Sequence, residues 1–177
     1  FYSGLYIQAL TNNGDGTFTD NTNIYFPTIG TSWSWIDRAY LVDLNNDSKL
    51  DIVGHTDQDF GVLAPLIRQP NGAFSETSNE VILGNLGAMV PLDSDDDGDT
   101  DILVRNILDF GGPTEQKHEW TLLENTTTVD GALTFQSLGV VSSQAYTGWD
   151  YSAFVYAPVV LDINNDGYQD LIYGGPK

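Results

Sequence analysis

Asp93-Ser94-Asp95-Asp96-Asp97-Gly98-Asp99-Thr100-Asp101 places carboxylates at positions 1, 3, 5 and 9 of a nine-residue run. A tightly turned loop with this spacing aims several side-chain oxygens at one point. Four like charges within a few ångströms repel unless a cation joins them. Ca²⁺, which accepts six to eight oxygen ligands in a flexible cage, suits such a loop better than Mg²⁺, which keeps more of its water.

The pattern occurs twice more, as Asp43-Leu44-Asn45-Asn46-Asp47-Ser48-Lys49-Leu50-Asp51 and as Asp162-Ile163-Asn164-Asn165-Asp166-Gly167-Tyr168-Gln169-Asp170. One acidic run alone leaves room for a solvated loop, but three copies in the same spacing do not. The EF-hand loop shares the first five positions, yet it requires a Glu at position 12 and helices on both sides. Position 12 here is Gly54, Val104 and Tyr173. The flanks are strand-like instead: Ala39–Val42, Ala88–Leu92 and Pro158–Leu161 before the loops, and Leu50–Val53, Thr100–Val104 and Gln169–Tyr173 after them, apolar and rich in β-branched residues. Each loop is therefore expected to join two strands, with the Asp at position 9 in place of the missing Glu.

The other turns follow a second pattern. Asn12-Asn13-Gly14-Asp15-Gly16-Thr17-Phe18 follows the apolar Leu5–Leu10, and its Asn-Gly and Asp-Gly pairs supply the positive φ angles of a tight hairpin. Asn71-Gly72-Ala73-Phe74 after Pro65–Arg68, and Asp130-Gly131-Ala132-Leu133-Thr134-Phe135 after Trp120–Glu124, repeat it. The chain thus alternates a hairpin closed by an acidic loop with one closed by a Gly turn ending on Phe. Almost no helix is expected, and four short strands per unit, repeated, describe a propeller blade.

These residues, together with the linking Asp59-Phe60-Gly61, Asp109-Phe110-Gly111-Gly112-Pro113 and Tyr173-Gly174-Gly175-Pro176, resemble the FG-GAP and VCBS family of calcium-binding β-propeller repeats, as in integrin α-subunit heads. The resemblance covers essentially the whole chain. It implies side-chain ligands at positions 1, 3, 5 and 9 and a carbonyl ligand at position 7: Asp43, Asn45, Asp47, Asp51 and the carbonyl of Lys49; Asp93, Asp95, Asp97, Asp101 and that of Asp99; Asp162, Asn164, Asp166, Asp170 and that of Tyr168. About three Ca²⁺ are implied. Ser48 stands where the family has Gly, which strains the first loop and makes its site the weakest.

The loops begin 50 and 69 residues apart, and the stretch from Asp162 to the end joins that from the start to Asp43 to make a third unit of 58. This predicts an all-β, propeller-type array of about three four-stranded blades, one of them split between the termini. Within a single domain, 1–36 is a donated half-blade hairpin and link, 37–86 and 87–156 are blades with the first and second loops, and 157–177 is a half-blade with the third. Closed propellers have at least four blades. Either the N-terminal hairpin of one molecule completes the last half-blade of another by strand addition, giving a ring or a fibre, or the sequence is an excerpt of a longer propeller. In the first case a donated strand Leu5–Leu10 turns Leu5, Ile7 and Ala9 to the acceptor's core.

Composition sets limits on function. The net charge of −19 with only six Lys or Arg argues against nucleic acid or an anionic membrane as partner. Hydrophobic content of 41% excludes general disorder. There is no cysteine, hence neither disulfide nor thiol chemistry. Multi-carboxylate loops fill at extracellular calcium levels, and with no signal peptide or apolar run of transmembrane length, the chain reads as a secreted protein already processed. His55 and His118 lie in unrelated contexts and suggest no triad, and Asp residues committed to Ca²⁺ are poor general acids, so no enzyme is expected. Trp33, Trp35 and Trp149 suit packing between sheets or stacking on sugar. Asn46 and Asn125 begin Asn-x-Ser/Thr acceptors; Asn125, outside any acidic loop, is the better candidate. The expected function is structural or adhesive: an extracellular Ca²⁺-binding repeat protein that assembles with copies of itself. A carbohydrate-binding propeller module, or part of a larger adhesion receptor, is the alternative.

Overall fold

In a computed structural model, residues 7–28, 36–56, 62–77, 81–82, 86–109, 115–129, 132–147 and 158–173 are described. They form antiparallel sheets and one four-residue helix. The first sheet pairs β1 (Leu10–Asn12) with β2 (Phe18–Asp20), and the helix α1 (Thr22–Tyr25) follows. The second contains β3 (Ile36–Val42), β4 (Asp51–Thr56), β5 (Val62–Arg68) and β6 (Phe74–Glu76), with a short β7 (Val81–Ile82) also on β5. The third is the meander β8 (Leu86–Leu92), β9 (Asp101–Asp109), β10 (Glu115–Asn125) and β11 (Phe135–Thr147). The fourth pairs β12 (Val159–Leu161) with β13 (Asp170–Ile172).

The expected alternation of hairpins is present. Each acidic loop joins two antiparallel strands, Val42 pairing with Asp51, Leu92 with Asp101 and Leu161 with Asp170. The Gly turns close β1–β2 and β5–β6, with Gly14, Gly16 and Gly72 at φ of 82°, 87° and 87°, angles that an L side chain resists. Pro65 sits inside β5, opposite Val53. It is tolerated because the outer partner of β5 is interrupted there: β6 pairs with residues 66–68 and β7 with 62 and 63.

Three differences from expectation have local causes. The first strand begins at Leu10 rather than Leu5, with residues 7–9 outside the ladder and residues 1–6 outside the described segments. The helix α1 was not anticipated; it is a single turn set by Asp20, whose carboxylate accepts the Thr22 backbone N–H (3.0 Å) and hydroxyl (2.6 Å). β10 and β11 are twice the expected length, and their ladder absorbs two register shifts, between Trp120 and Thr121 and between Leu122 and Leu123. The linking stretches 57–61, 110–114 and 174–177 lie outside the described residues, as do Trp33, Trp35 and Trp149.

Period-2 alternation decides how the sheets stack, because successive side chains face opposite neighbours. One residue past each loop, Ile52, Ile102 and Leu171 face the preceding sheet; the next residues, Val53 and Leu103, face the following one. Ile52 packs with Leu66 and Phe74 against Ile7, Tyr25 and Phe26. Val53, Leu44 and Leu63 meet Met89, Ile102, Val104 and Leu123 in the central cluster. Leu103, Ala88, Val90 and Trp120 cover Val160, Leu171 and Tyr173. The sheets are thus layered in chain order. The Tyr40 hydroxyl, donating to the Met89 carbonyl at 2.9 Å, and the Trp120–Tyr173 ring contact at 5.2 Å span two of the junctions.

Candidate metal sites

The strand pairs hold the two ends of each loop together, and the interior of the loop is shaped by its own acidic side chains. In the first loop Asp43 accepts the backbone N–H groups of Asp47 (3.2 Å) and Ser48 (2.7 Å), and Asp47 accepts that of Lys49 (2.9 Å). In the second, Asp93 accepts those of Asp96 (2.8 Å) and Gly98 (3.1 Å), and Asp97 that of Asp99 (3.0 Å). In the third, Asp162 accepts those of Asp166 (3.2 Å) and Gly167 (2.9 Å), and Asp166 that of Tyr168 (3.0 Å). Three independent stretches fold the same way, with Asn46, Asp96 and Asn165 at position 4 all left-handed, at φ of 58°, 64° and 61°. Asn and Asp tolerate that region because their short polar side chains bond locally.

Positions 1, 3 and 5 converge in the second loop, where Asp93, Asp95 and Asp97 each bring a carboxylate oxygen within 4.8 Å of the others. Loops one and three have Asn45 and Asn164 at position 3, and each amide oxygen accepts a backbone N–H as the Asp does. Asp99, expected to contribute only its carbonyl, has a buried side-chain Oδ1 with no hydrogen-bond partner among the described residues, although its carboxylate is not one of the converging three. Burial, and then Asp97 and Asp101 beside it, push its carboxyl up to about 6. An unpartnered buried oxygen among like charges is a donor set that fits a hard divalent cation.

That shift carries a pH dependence. A raised folded pKa means that the folded chain holds a proton the unfolded chain releases, so the stabilisation is complete below the unfolded value and is lost as pH rises through about 6. Metal-free protein should therefore melt at a lower temperature at pH 7 than at pH 5. Asp99→Asn should flatten this difference, and a melting temperature that rises over that interval would contradict it.

The first loop is built less favourably. Ser48 takes φ of 63° where Gly98 and Gly167 take 93° and 96°, and the strain of a non-Gly residue there matches expectation. Lys49 Nζ reaches Asp47 Oδ2 at 2.8 Å, a pair that no motif announces. The hydrogen bond from Lys49 holds the Asp47 carboxyl below its usual range, and a cation competing for this oxygen must displace it.

Position 9 has a role beyond the loop. Asp51 and Asp101 are fully buried, at 0% and 1% exposure. Asp51 accepts the N–H of Leu44 (3.0 Å) and, from the end of β5, that of Arg68 (2.7 Å). Asp101 likewise accepts the N–H groups of Ser94 (3.1 Å) and, from the end of β10, Asn125 (2.8 Å). The Ser94 hydroxyl also bonds Asp101. Desolvation raises the Asp51 pKa. These carboxylates tie the acidic loop to the third strand of its own sheet and keep lone pairs for a cation.

Asn125 was missed as a site residue, having been considered only as the better of two candidate glycan acceptors. It is 2% exposed, and its Nδ2 donates to the carbonyls of Leu44 in the first loop (3.0 Å) and Thr100 in the second (3.1 Å). A glycan on that nitrogen would break both bonds, so the acceptor reading is overturned. Asn46 Nδ2 donates to the Thr127 carbonyl (3.2 Å), and Gln169 of the third loop accepts the Asp93 N–H (3.1 Å). Neighbouring loops are therefore bridged by amide side chains.

Residues 3–54, which include the first acidic loop and the Gly turn before it, match the family model of the FG-GAP-like repeat. The chain carries an FG-GAP-like repeat. No curated protein and no solved structure gives a significant match. The two later acidic loops, outside the matched segment, have a closely similar hydrogen-bond scheme. Among the described residues, no helix is long and apolar enough to cross a membrane.

Proposed function

We propose that the chain is a non-enzymatic, Ca²⁺-rigidified β-propeller-type protein of the extracellular space, a structural or adhesive building block that joins copies of itself head to tail. The observation that carries this reading is the inward convergence of Asp93, Asp95 and Asp97 in a loop whose scheme recurs twice. FG-GAP repeats often bind Ca²⁺, are generally non-catalytic and are typical of extracellular proteins. Positions 1, 3, 5 and 9 of each loop would supply side-chain oxygens, with the carbonyls of Lys49, Asp99 and Tyr168. The cation would neutralise their repulsion and lock the strand pair.

Head-to-tail joining is supported by two half-sheets of complementary kind. β12–β13 is an acidic-loop hairpin, and β1–β2 a Gly-turn hairpin; each complete sheet contains one of both. Val159, Leu161 and Ile172 are 57%, 38% and 50% exposed, on the face that in the other sheets the following layer covers. Trp120, the one tryptophan among the described residues, is buried at 2% exposure and offers no stacking face to a sugar.

Calorimetric titration of metal-free protein with Ca²⁺ tests the reading and should give about three sites per chain. The second loop, with the most carboxylates, should bind tightest and the first, with strained Ser48 and the Lys49–Asp47 pair, weakest. Asp95→Ala should remove the high-affinity phase and Asp47→Ala the weakest. Absence of binding heat would refute the calcium reading, and loss of the tight phase in Asp47→Ala would reverse the ranking.

A further inference from the structure

Within the head-to-tail reading just given, on which this inference rests, we propose that β1–β2 joins β12–β13 of a second copy in one register. The backbone N–H of Asn12 bonds Asp170 Oδ1, and Leu10 lies opposite Leu171. Each Gly-turn hairpin is closed by a corresponding bond: Gln69 N–H to the Ala73 carbonyl (2.7 Å), Thr126 to Thr134 (2.9 Å) and Asn13 to Thr17 (3.0 Å). The preceding residues, Arg68, Asn125 and Asn12, thus hold equivalent places. Each belongs to the next, non-hydrogen-bonded pair, so its N–H points away from the hairpin.

In the two complete sheets that outward N–H reaches Oδ1 of the position-9 Asp: Arg68 on Asp51 at 2.7 Å and Asn125 on Asp101 at 2.8 Å. Asp170 holds the Ile163 N–H on Oδ2 at 2.9 Å, as Asp51 and Asp101 hold their loop residues, but among the described residues no N–H is given to its Oδ1. The hairpin with an outward N–H and the carboxylate lacking one are both on this chain, and they lie at opposite ends of the layered sheets. Ile7 beside β1 packs on Ile52, Leu66 and Phe74, whereas β13 lies on Trp120. A second copy is the occupant that brings them together.

Burial agrees with this register. Ile52 pairs with Leu66 and Ile102 with Leu123, each one residue past the loop Asp and two before the turn, which makes Leu10 the partner of Leu171. Leu66 and Leu123 are 0% and 4% exposed, but Leu10 is 52% exposed. Phe74 is 6% exposed, and its equivalent Phe18 is 60% exposed. The apolar groups that complete a sheet are thus left in solvent on this hairpin. Ile7, assigned by the sequence to the acceptor's core, is already packed in its own chain; Leu10 and Phe18 take that place.

The chain has no cysteine, so introduced thiols report unambiguously. The register sets Ala9 opposite Ile172, as Pro65 lies opposite Val53, in a non-hydrogen-bonded pair whose Cα atoms approach to about 4.5 Å, within disulfide reach. Ala9→Cys and Ile172→Cys chains, mixed with Ca²⁺ and oxidised, should form an interchain disulfide identified by peptide mass. Thr11→Cys with Ile172→Cys, shifted by two residues, should form at least about tenfold less, the register pinning the pair. Equal yields from both mixtures, with wild-type chains still associating in light scattering, would overturn the register and leave head-to-tail joining intact. A chain carrying both substitutions that closes on itself at monomer mass would overturn the second copy. Leu10→Asp, at a site exposed in the single chain, should weaken association by about tenfold to a hundredfold, and unchanged association would also overturn the register. A monomeric wild type in millimolar Ca²⁺ would refute the joining reading itself.

Discussion

Excess EGTA, by withdrawing the proposed Ca²⁺, should lower the melting temperature by about 15–30 °C. At a free Ca²⁺ concentration a hundredfold above Kd, each site contributes about 2.7 kcal/mol, so three give about 8 kcal/mol. That equals much of an ordinary domain's stability, about 5–15 kcal/mol. A chain of this length shifts by about 2–4 °C for each kcal/mol, which gives the stated range. The effect is large because backbone N–H groups leave the like charges uncancelled: Asp93, Asp95 and Asp97 converge within 4.8 Å, and the buried Oδ1 of Asp99 has no partner among the described residues. Differential scanning calorimetry with Ca²⁺ and with excess EGTA makes the comparison. A midpoint unmoved by EGTA would mean that the carboxylates are held by their backbone N–H groups alone.

The second large effect concerns position 9. In saturating Ca²⁺, Asp101→Ala should cost about 3–5 kcal/mol, because it strands the buried N–H groups of Ser94 and Asn125 and leaves a cavity. Asp170→Ala, compared at dilutions where copies are separate, should cost only about 1–2 kcal/mol, since in the single chain that residue is half-buried and holds one N–H, from Ile163. All three loops carry an Asp at this position, so a role confined to the proposed cation predicts equal costs. Guanidinium unfolding of both variants separates the two roles, and equal losses would dismiss the tie from loop to third strand.

The value of the acidic loops as markers came from repetition with fixed spacing. Residues 43–51, 93–101 and 162–170 could be placed between strands because local chemistry governs both parts: carboxylate spacing sets the turn, and β-branched apolar runs set the flanks. The Gly turns were legible for the same reason, as positive φ is a property of one or two residues. All-β architecture with alternating hairpins followed from those two motifs, and the strained Ser48 could be singled out before any coordinate was known.

Other features depend on contacts between residues distant in the chain. The bond from Asn125 to Leu44 spans 81 residues, and nothing in Asn-Thr-Thr distinguishes a buried bridge from an exposed glycan acceptor. The Lys49–Asp47 pair depends on side-chain direction, and the burial of Asp99 Oδ1 on how the surrounding residues fold over it. The N–H groups that complete Asp51 and Asp101 belong to Arg68 and Asn125, residues of unrelated type, because a backbone donor leaves no trace in side-chain identity. Sequence alone determined which local segments turn in acidic loops and which extend. Only the tertiary structure decided which sheet face each strand buries, and which backbone N–H meets which carboxylate, because these depend on register between segments that the chain brings together only on folding.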